Sequence, residues 1–250
     1  MDRLIYTAMT GASQALEQQA VVANNLANTS TTGFRAQLSN FRAVPMSFGE
    51  GVNDDTTRTF VLSATPGSDM TPGAISRTGN PLDVAIQGSG FIAVQTADGN
   101  EAYTRAGNLQ VDANGQLMTA NGDQVIGGGG PIAVPPGSQV TIAADGTVSA
   151  IAPGSPPDAI AVIDQIKFVN PPAGSLTRGD DGLFRTADGN PADADQTVRV
   201  ATESIEGSNV NPVAAMVDMI TNARQFQMQT KLLQDADQND QSANALLQFS

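Results

Sequence analysis

The chain has 250 residues, 40% of them hydrophobic and only 15% charged, with 25 acidic against 12 basic residues and a net charge of −13. It contains no histidine and no cysteine, which excludes histidine acid–base and triad chemistry, thiolate redox, His- or Cys-ligated zinc and disulfides. Ten Arg and two Lys (Lys167, Lys231) in so acidic a chain are a poor basis for contact with nucleic-acid phosphates or an anionic membrane surface.

No apolar run approaches the roughly 18 residues of a membrane span. The opening Met1-Asp2-Arg3-Leu4-Ile5-Tyr6-Thr7 lacks the basic region and apolar core of a secretory signal. The expectation is a cytosolic protein, or one exported by a route that reads something else, with no direct membrane insertion. Helix breakers divide the chain in three. All fourteen prolines lie between Pro45 and Pro212, only Gly11 precedes Gly33, and no glycine follows Gly207.

The first segment predicts an amphipathic helix over 3–28. Ile5, Met9, Ala12, Leu16, Ala23 and Leu26 follow a 4-3-4 spacing, with Gln19 in the one polar slot. Frequent alanine favours helix and lets a partner approach closely. Asn24, Asn25 and Asn28 lie near the end of the stripe, where an amide fixes register in a helix seam, caps the helix or faces solvent. The Thr29–Thr32 run and Gly33 mark the exit. Residues 34–74 read as an irregular connector, with Phe34, Phe41, Phe48 and Phe60 as anchors.

Residues 75–205 read as strands and turns. Gln87–Gly90 separates the apolar runs Leu82–Ile86 and Phe91–Gln95. Asp/Asn-Gly pairs mark turns at 98–99, 114–115, 121–122, 145–146, 181–182 and 188–189. The last segment, 206–250, predicts a second helix. Asn211 is a good N-cap and Pro212 sits at the favoured first position. Val213, Met216, Val217, Ile220, Ala223, Phe226 and Leu233 recur along it, and a seven-residue series Met219–Phe226–Leu233 continues to Leu247.

The expected fold class is therefore α+β: N- and C-terminal helices that pair in a coiled-coil-like arrangement, flanking a central all-β domain of short hairpins. The boundaries are 1–33 for an N-terminal assembly helix, 34–74 for the connector, 75–205 for the β domain and 206–250 for a C-terminal assembly helix. A helix with one apolar stripe must bury it on something. The two stripes pack on each other within one chain, or on sister copies as well. Stripes rich in Ala, Met and Gln offset poorly the roughly 1–2 kcal/mol per residue that ordering costs, which favours additional neighbours.

Other motifs carry less. Gly127–Gly130 is followed by neither a helix nor Lys-Ser/Thr, so it reads as a turn and not a phosphate cradle. Asp180-Asp181 would suit a carboxylate hydrolase or a Ca²⁺ ligand, but it reads as hairpin chemistry, and Asp235, Asp237 and Asp240 as a solvated helix face. No cofactor or metal is expected.

The block Ala23-Asn24-Asn25-Leu26-Ala27-Asn28-Thr29-Ser30-Thr31-Thr32-Gly33-Phe34-Arg35 resembles the N-terminal signature of bacterial flagellar rod and hook proteins. Glu206–Asn211, Met216–Ile220 and Arg224-Gln225-Phe226 resemble the matching C-terminal signature. Leu82–Phe91, Tyr103–Gly107, Asp112–Leu117 and Gly179–Phe184 are similar to the family's β domain. Within the family, the first nine residues and the short length are most like the proximal-rod members, with a distal-rod or hook subunit as the alternative and a hydrolase or ligand-binding β protein further off. The resemblance implies a non-enzymatic structural subunit of the basal-body rod. Such subunits stack through their terminal helices into a helical tube that crosses the periplasm and transmits torque. The implied partners are copies of itself, other flagellar rod subunits and the flagellar type III export apparatus.

Overall fold

The computed structural model describes residues 2–45, 59–156 and 158–247. Among these the chain forms two long helices and seventeen short strands, divided between two compact units.

The helical unit comprises Met1–Ala27, Gln37–Ser68 and Asn211–Ser250. Helix α1 spans Asp2–Ala27 and α2 spans Pro212–Leu247. Asn211 caps α2 as expected: its Oδ1 accepts the N–H of Val213 (3.0 Å) and of Ala214 (3.2 Å). The two helices pack against each other, with Gly11 of α1 meeting Gln229 of α2. The strands β1 (Gln37–Pro45) and β2 (Thr59–Ser68) pair antiparallel and pack against α1. The segment read as an irregular connector thus contains a long two-stranded ribbon.

The β unit comprises Asn28–Ala36 and Asp69–Val210. An eight-stranded sheet is built from β14 (Leu176–Arg178), β15 (Phe184–Thr186), β6 (Glu101–Thr104), β5 (Phe91–Gln95), β9 (Gln124–Val125), β8 (Leu117–Thr119) and β7 (Leu109–Val111) in that spatial order, with β13 (Phe168–Val169) also pairing with β5. A three-stranded sheet holds β10 (Gln139–Ile142), β11 (Thr147–Ile151) and β12 (Ala161–Gln165). Two smaller pairs join distant segments: β4 (Val84–Gln87) with β16 (Arg199–Thr202), and β3 (Ile75–Arg77) with β17 (Ser204–Glu206). Five of the six Asp/Asn-Gly pairs turn the chain between consecutive antiparallel strands.

Strand alternation then fills the core. In β5, Ile92 and Val94 join Val84, Ile86, Leu117, Val125 and Val148 in the main cluster. Phe91 and Ala93, pointing the other way, pack with Tyr103, Val169 and Phe184 in a second. Phe91 and Phe184 meet with ring centroids 5.3 Å apart.

Candidate assembly interface

A helix buries whichever row of side chains lets its partner approach closest. In α2 the row facing inward is Ala215, Met219, Asn222, Phe226, Gln229, Leu233 and Ala236, a 4-3 alternation with Ala215, Asn222 and Ala236 buried. In α1 the matching row is Ala8, Gly11, Ala15, Gln18, Val22 and Asn25, with Ala8 and Ala15 buried. A Cβ on Gly11 would stand 3.1 Å from the Gln229 amide, so the helices touch there almost backbone to side chain. The fully buried positions of the seam within the chain are thus small or polar (Ala8, Ala15, Ala215, Asn222 and Ala236), with Val22, Met219, Phe226 and Leu233 half-buried between them.

The stripe read in α1 lies one position along from this row, or about 100° round the helix. Met9, Leu16 and Ala23 are exposed, while Ala12 and Leu26 lie half-buried on the flank of the seam. The Ile5 side chain lies outside the described residues, as do those of Phe41, Phe60 and Leu247 and the whole of Phe48. In α2, Ala223, Phe226 and Leu233 are half-buried along the seam. Val213 (69% exposed), Met216 (53%), Val217 (57%) and Ile220 (54%) turn to solvent. The first two turns of α2 therefore carry a contiguous exposed apolar face (213, 216, 217, 220), and α1 carries a second row at 9 and 16.

The three asparagines separate. Asn24 is exposed. Asn25 turns to the ribbon: its Oδ1 accepts the Gln37 N–H (2.8 Å) and its Nδ2 donates to the Gln37 carbonyl (2.9 Å), mimicking a strand partner at the start of β1. Asn28 accepts the Thr31 hydroxyl (3.1 Å) and, through its carbonyl, the Thr31 N–H in the turn after α1.

Within the β unit, three blocks far apart in sequence meet on a buried ion cluster. Glu206 is fully buried and Arg35 is 1% exposed. Glu206 Oε1 lies 2.7 Å from Arg35 Nη2 and accepts the Gly73 N–H (2.8 Å), while Oε2 accepts Arg105 Nη1 (3.0 Å). Arg105 also donates to the Gly88 carbonyl (2.6 Å). Burial lowers the Arg105 pKa from the usual guanidinium value, Glu206 opposes that, and the neighbouring Arg35 charge adds to it. Gly33 completes the join: its N–H donates to the Glu206 carbonyl (2.8 Å), its φ is +69°, and a Cβ there would meet the Arg105 backbone at 2.2 Å. Asn209 closes the same loop by accepting the Ala36 N–H (2.7 Å) and donating to the carbonyls of Asp69 and Thr71. None of Arg35, Arg105, Glu206 and Asn209 stood among the sequence candidates. Their signal was opposite charge inside otherwise uncharged, glycine-bounded blocks.

Comparison with known proteins meets the same blocks. The family model for flagella basal body rod proteins matches residues 5–35, that for the flagellar hook protein FlgE/F/G D1 domain matches 85–150, and that for the flagellar basal body rod FlgEFG protein C-terminal region matches 201–246. Flagellar basal-body rod protein FlgF of Salmonella typhimurium and that of Escherichia coli are each 54% identical to the chain, with both sequences covered completely. The chain belongs to the flagellar basal-body rod protein family. Flagellar basal-body rod protein FlgG of Buchnera aphidicola subsp. Schizaphis graminum is 33% identical over 97% of the chain and 98% of its own length, so this rod protein is more like FlgF. It is a structural protein of the basal-body rod. The first and third family matches reach from the two helices into the buried cluster, ending at Arg35 on one side and starting before Glu206 on the other.

The remaining motifs have local roles in this rod protein. Asp181 accepts Arg185 Nη1 (3.0 Å) and the Leu183 N–H (3.1 Å). The Arg185 hydrogen bonds hold its carboxyl below the ordinary range, the opposite of what a general acid needs. Gly127–Gly130 closes a turn by a 2.7 Å backbone hydrogen bond, and Asp164 accepts the Gly128 N–H. Among the described residues no cluster of acidic side chains could hold a metal ion, and no helix is long and apolar enough to cross a membrane.

Proposed function

We propose that the chain is a non-enzymatic subunit of the proximal rod that polymerises through its two helices into a torque-transmitting tube, after passing through the flagellar type III export apparatus. Its partners are then sister copies and other rod subunits. The observation that carries this reading is the exposed apolar face of 213, 216, 217 and 220 beside a seam whose buried positions are alanines and an asparagine. Each subunit closes its own hairpin largely on alanines and amides and keeps Met9, Leu16, Val213, Met216, Val217 and Ile220 for neighbours. A head-to-tail contact that does not close on itself builds a helical filament. Ordering the helices then stays costly until several neighbours supply buried area, which holds back assembly before export. An absence of cysteine suits both passage through an extended state and an oxidising periplasm.

The test is the triple change Met216→Ser, Val217→Asp and Ile220→Asp. The purified variant keeps the near-ultraviolet circular dichroism of the β unit, but cells carrying it build no complete rod and do not swim. Motile cells with a finished rod would refute the reading.

A further inference from the structure

The β unit contains a pocket of about 300 Å³ lined by three arginines, Arg35, Arg105 and Arg178, and one carboxylate, Asp181. Arg35 and Arg105 lie beneath it, and the half-buried Arg178 stands at its side with its guanidinium 4.3 Å over the Phe34 ring. Thr31 and Asn121 supply polar groups at the rim. Glu206 answers two of these three positive charges with one negative charge. Arg178 has no ion-pair partner among the described residues. Its Nη1 donates to the Arg35 carbonyl (3.1 Å). Arg35 Nε and Nη1, Arg105 Nε and Arg178 Nε are all buried, with no hydrogen-bond partner among the described residues. Buried donors of this kind are costly unless something answers them.

The chain's own carboxylates near the pocket are already committed: both oxygens of Glu206 are taken from below, and Asp181 is held by Arg185. The pocket thus keeps two positive charges in excess, in a chain of net charge −13. The volume admits the end of one side chain. A second copy of the same chain brings 25 acidic residues to the encounter. We propose that this pocket is a carboxylate socket, filled in the rod by an Asp or Glu side chain of a neighbouring copy. Arg178 supplies the reachable fork, and Arg35 and Arg105 supply the field beneath it. This rests on the self-assembly proposed above and gives the β unit a part in it.

Two measurements on the full chain separate the ideas. Titrating the soluble protein with sodium glutarate, against sodium chloride at equal ionic strength, should give saturable chemical-shift changes in residues around Phe34 and Arg178. Arg178→Met keeps a stem over Phe34 and should weaken glutarate about tenfold, the worth of one charge-assisted hydrogen bond. The same variant should assemble poorly, whereas Ile220→Asp should lose assembly and bind glutarate as the parent does. No saturable binding, or equal binding by Arg178→Met, would overturn the socket while leaving assembly by the helices intact. Saturable glutarate binding by the parent that weakens in Arg178→Met, together with normal rod assembly by that variant, would overturn the neighbour's carboxylate as occupant and leave a free small carboxylate in its place.

Discussion

The β unit and the helical unit bury opposite kinds of side chain. In the β unit, Val84, Ile92, Val94, Leu117, Val125 and Val148 are wholly enclosed, and even the fully buried Glu206 carboxylate meets two guanidiniums. In the helical unit the seam holds Ala8, Ala15, Ala215, Asn222 and Ala236, while Met216, Val217 and Ile220 remain outside. Burying a Val, Leu or Ile side chain is worth about 1.5–3 kcal/mol, so the first unit has spent most of its apolar surface, leaving Ile75, Ile160 and Val162 outside, and the second has kept much of its own. On the assembly proposed above, the difference separates a part that is finished when the chain folds from a part that is finished when neighbours arrive.

The sharpest way to break this contrast is to attack the cluster at Glu206. Glu206→Ala strands two buried arginines and should cost about 3–5 kcal/mol, read from the denaturant midpoint of the near-ultraviolet signal of Tyr103. A change within experimental error would mean that the cluster is not closed. Next comes a matched pair. Leu117→Ala, in the β core, should cost about 2–5 kcal/mol, and Leu16→Ala, 51% exposed on α1, should stay within about 0.5 kcal/mol in the monomer while reducing assembly. Comparable losses in the two monomers would erase the distinction. The smallest effect is a titration. Tyr103 is buried; desolvation, with the Glu101 charge adding to it against the opposing Ala192 N–H hydrogen bond, pushes its phenol up to about 12. Between about pH 10 and 12 the unfolded chain loses this proton first, so the β unit should weaken by at most about 1.4 kcal/mol per pH unit there and not below it. A flat stability profile across that window would place the phenol in water.

Much of this was legible in the chain. The Asn211-Pro212 start of α2, the Asp/Asn-Gly hairpins and the two helical periods follow from local chemistry, and each forms where its residues dictate. The ribbon β1–β2 was hidden for local reasons too. A register shift opposite Leu38 and Asn40 puts one extra residue into β2 between Ala64 and Gly67, and Pro66 and Gly67 interrupt β2 in a sheet where both strands are edges. The division of labour on α1 was visible only in part. The larger side chains at 9 and 16 announce a stripe, but close helix approach is won by the smaller row at 8, 11 and 15, which a search for hydrophobicity passes over. The cluster of Arg35, Arg105 and Glu206 was not legible as a cluster, because its members are joined only by the pairing of β3 with β17 and by the approach of Gly33 to Glu206.

Hydrogen exchange on the soluble monomer tests the central claim most directly. Slow amides should concentrate in β4, β5 and β6, with exchange in α1 and α2 faster by orders of magnitude. Helices as protected in the isolated chain as those strands would show that the helical unit is already complete, and would contradict the account.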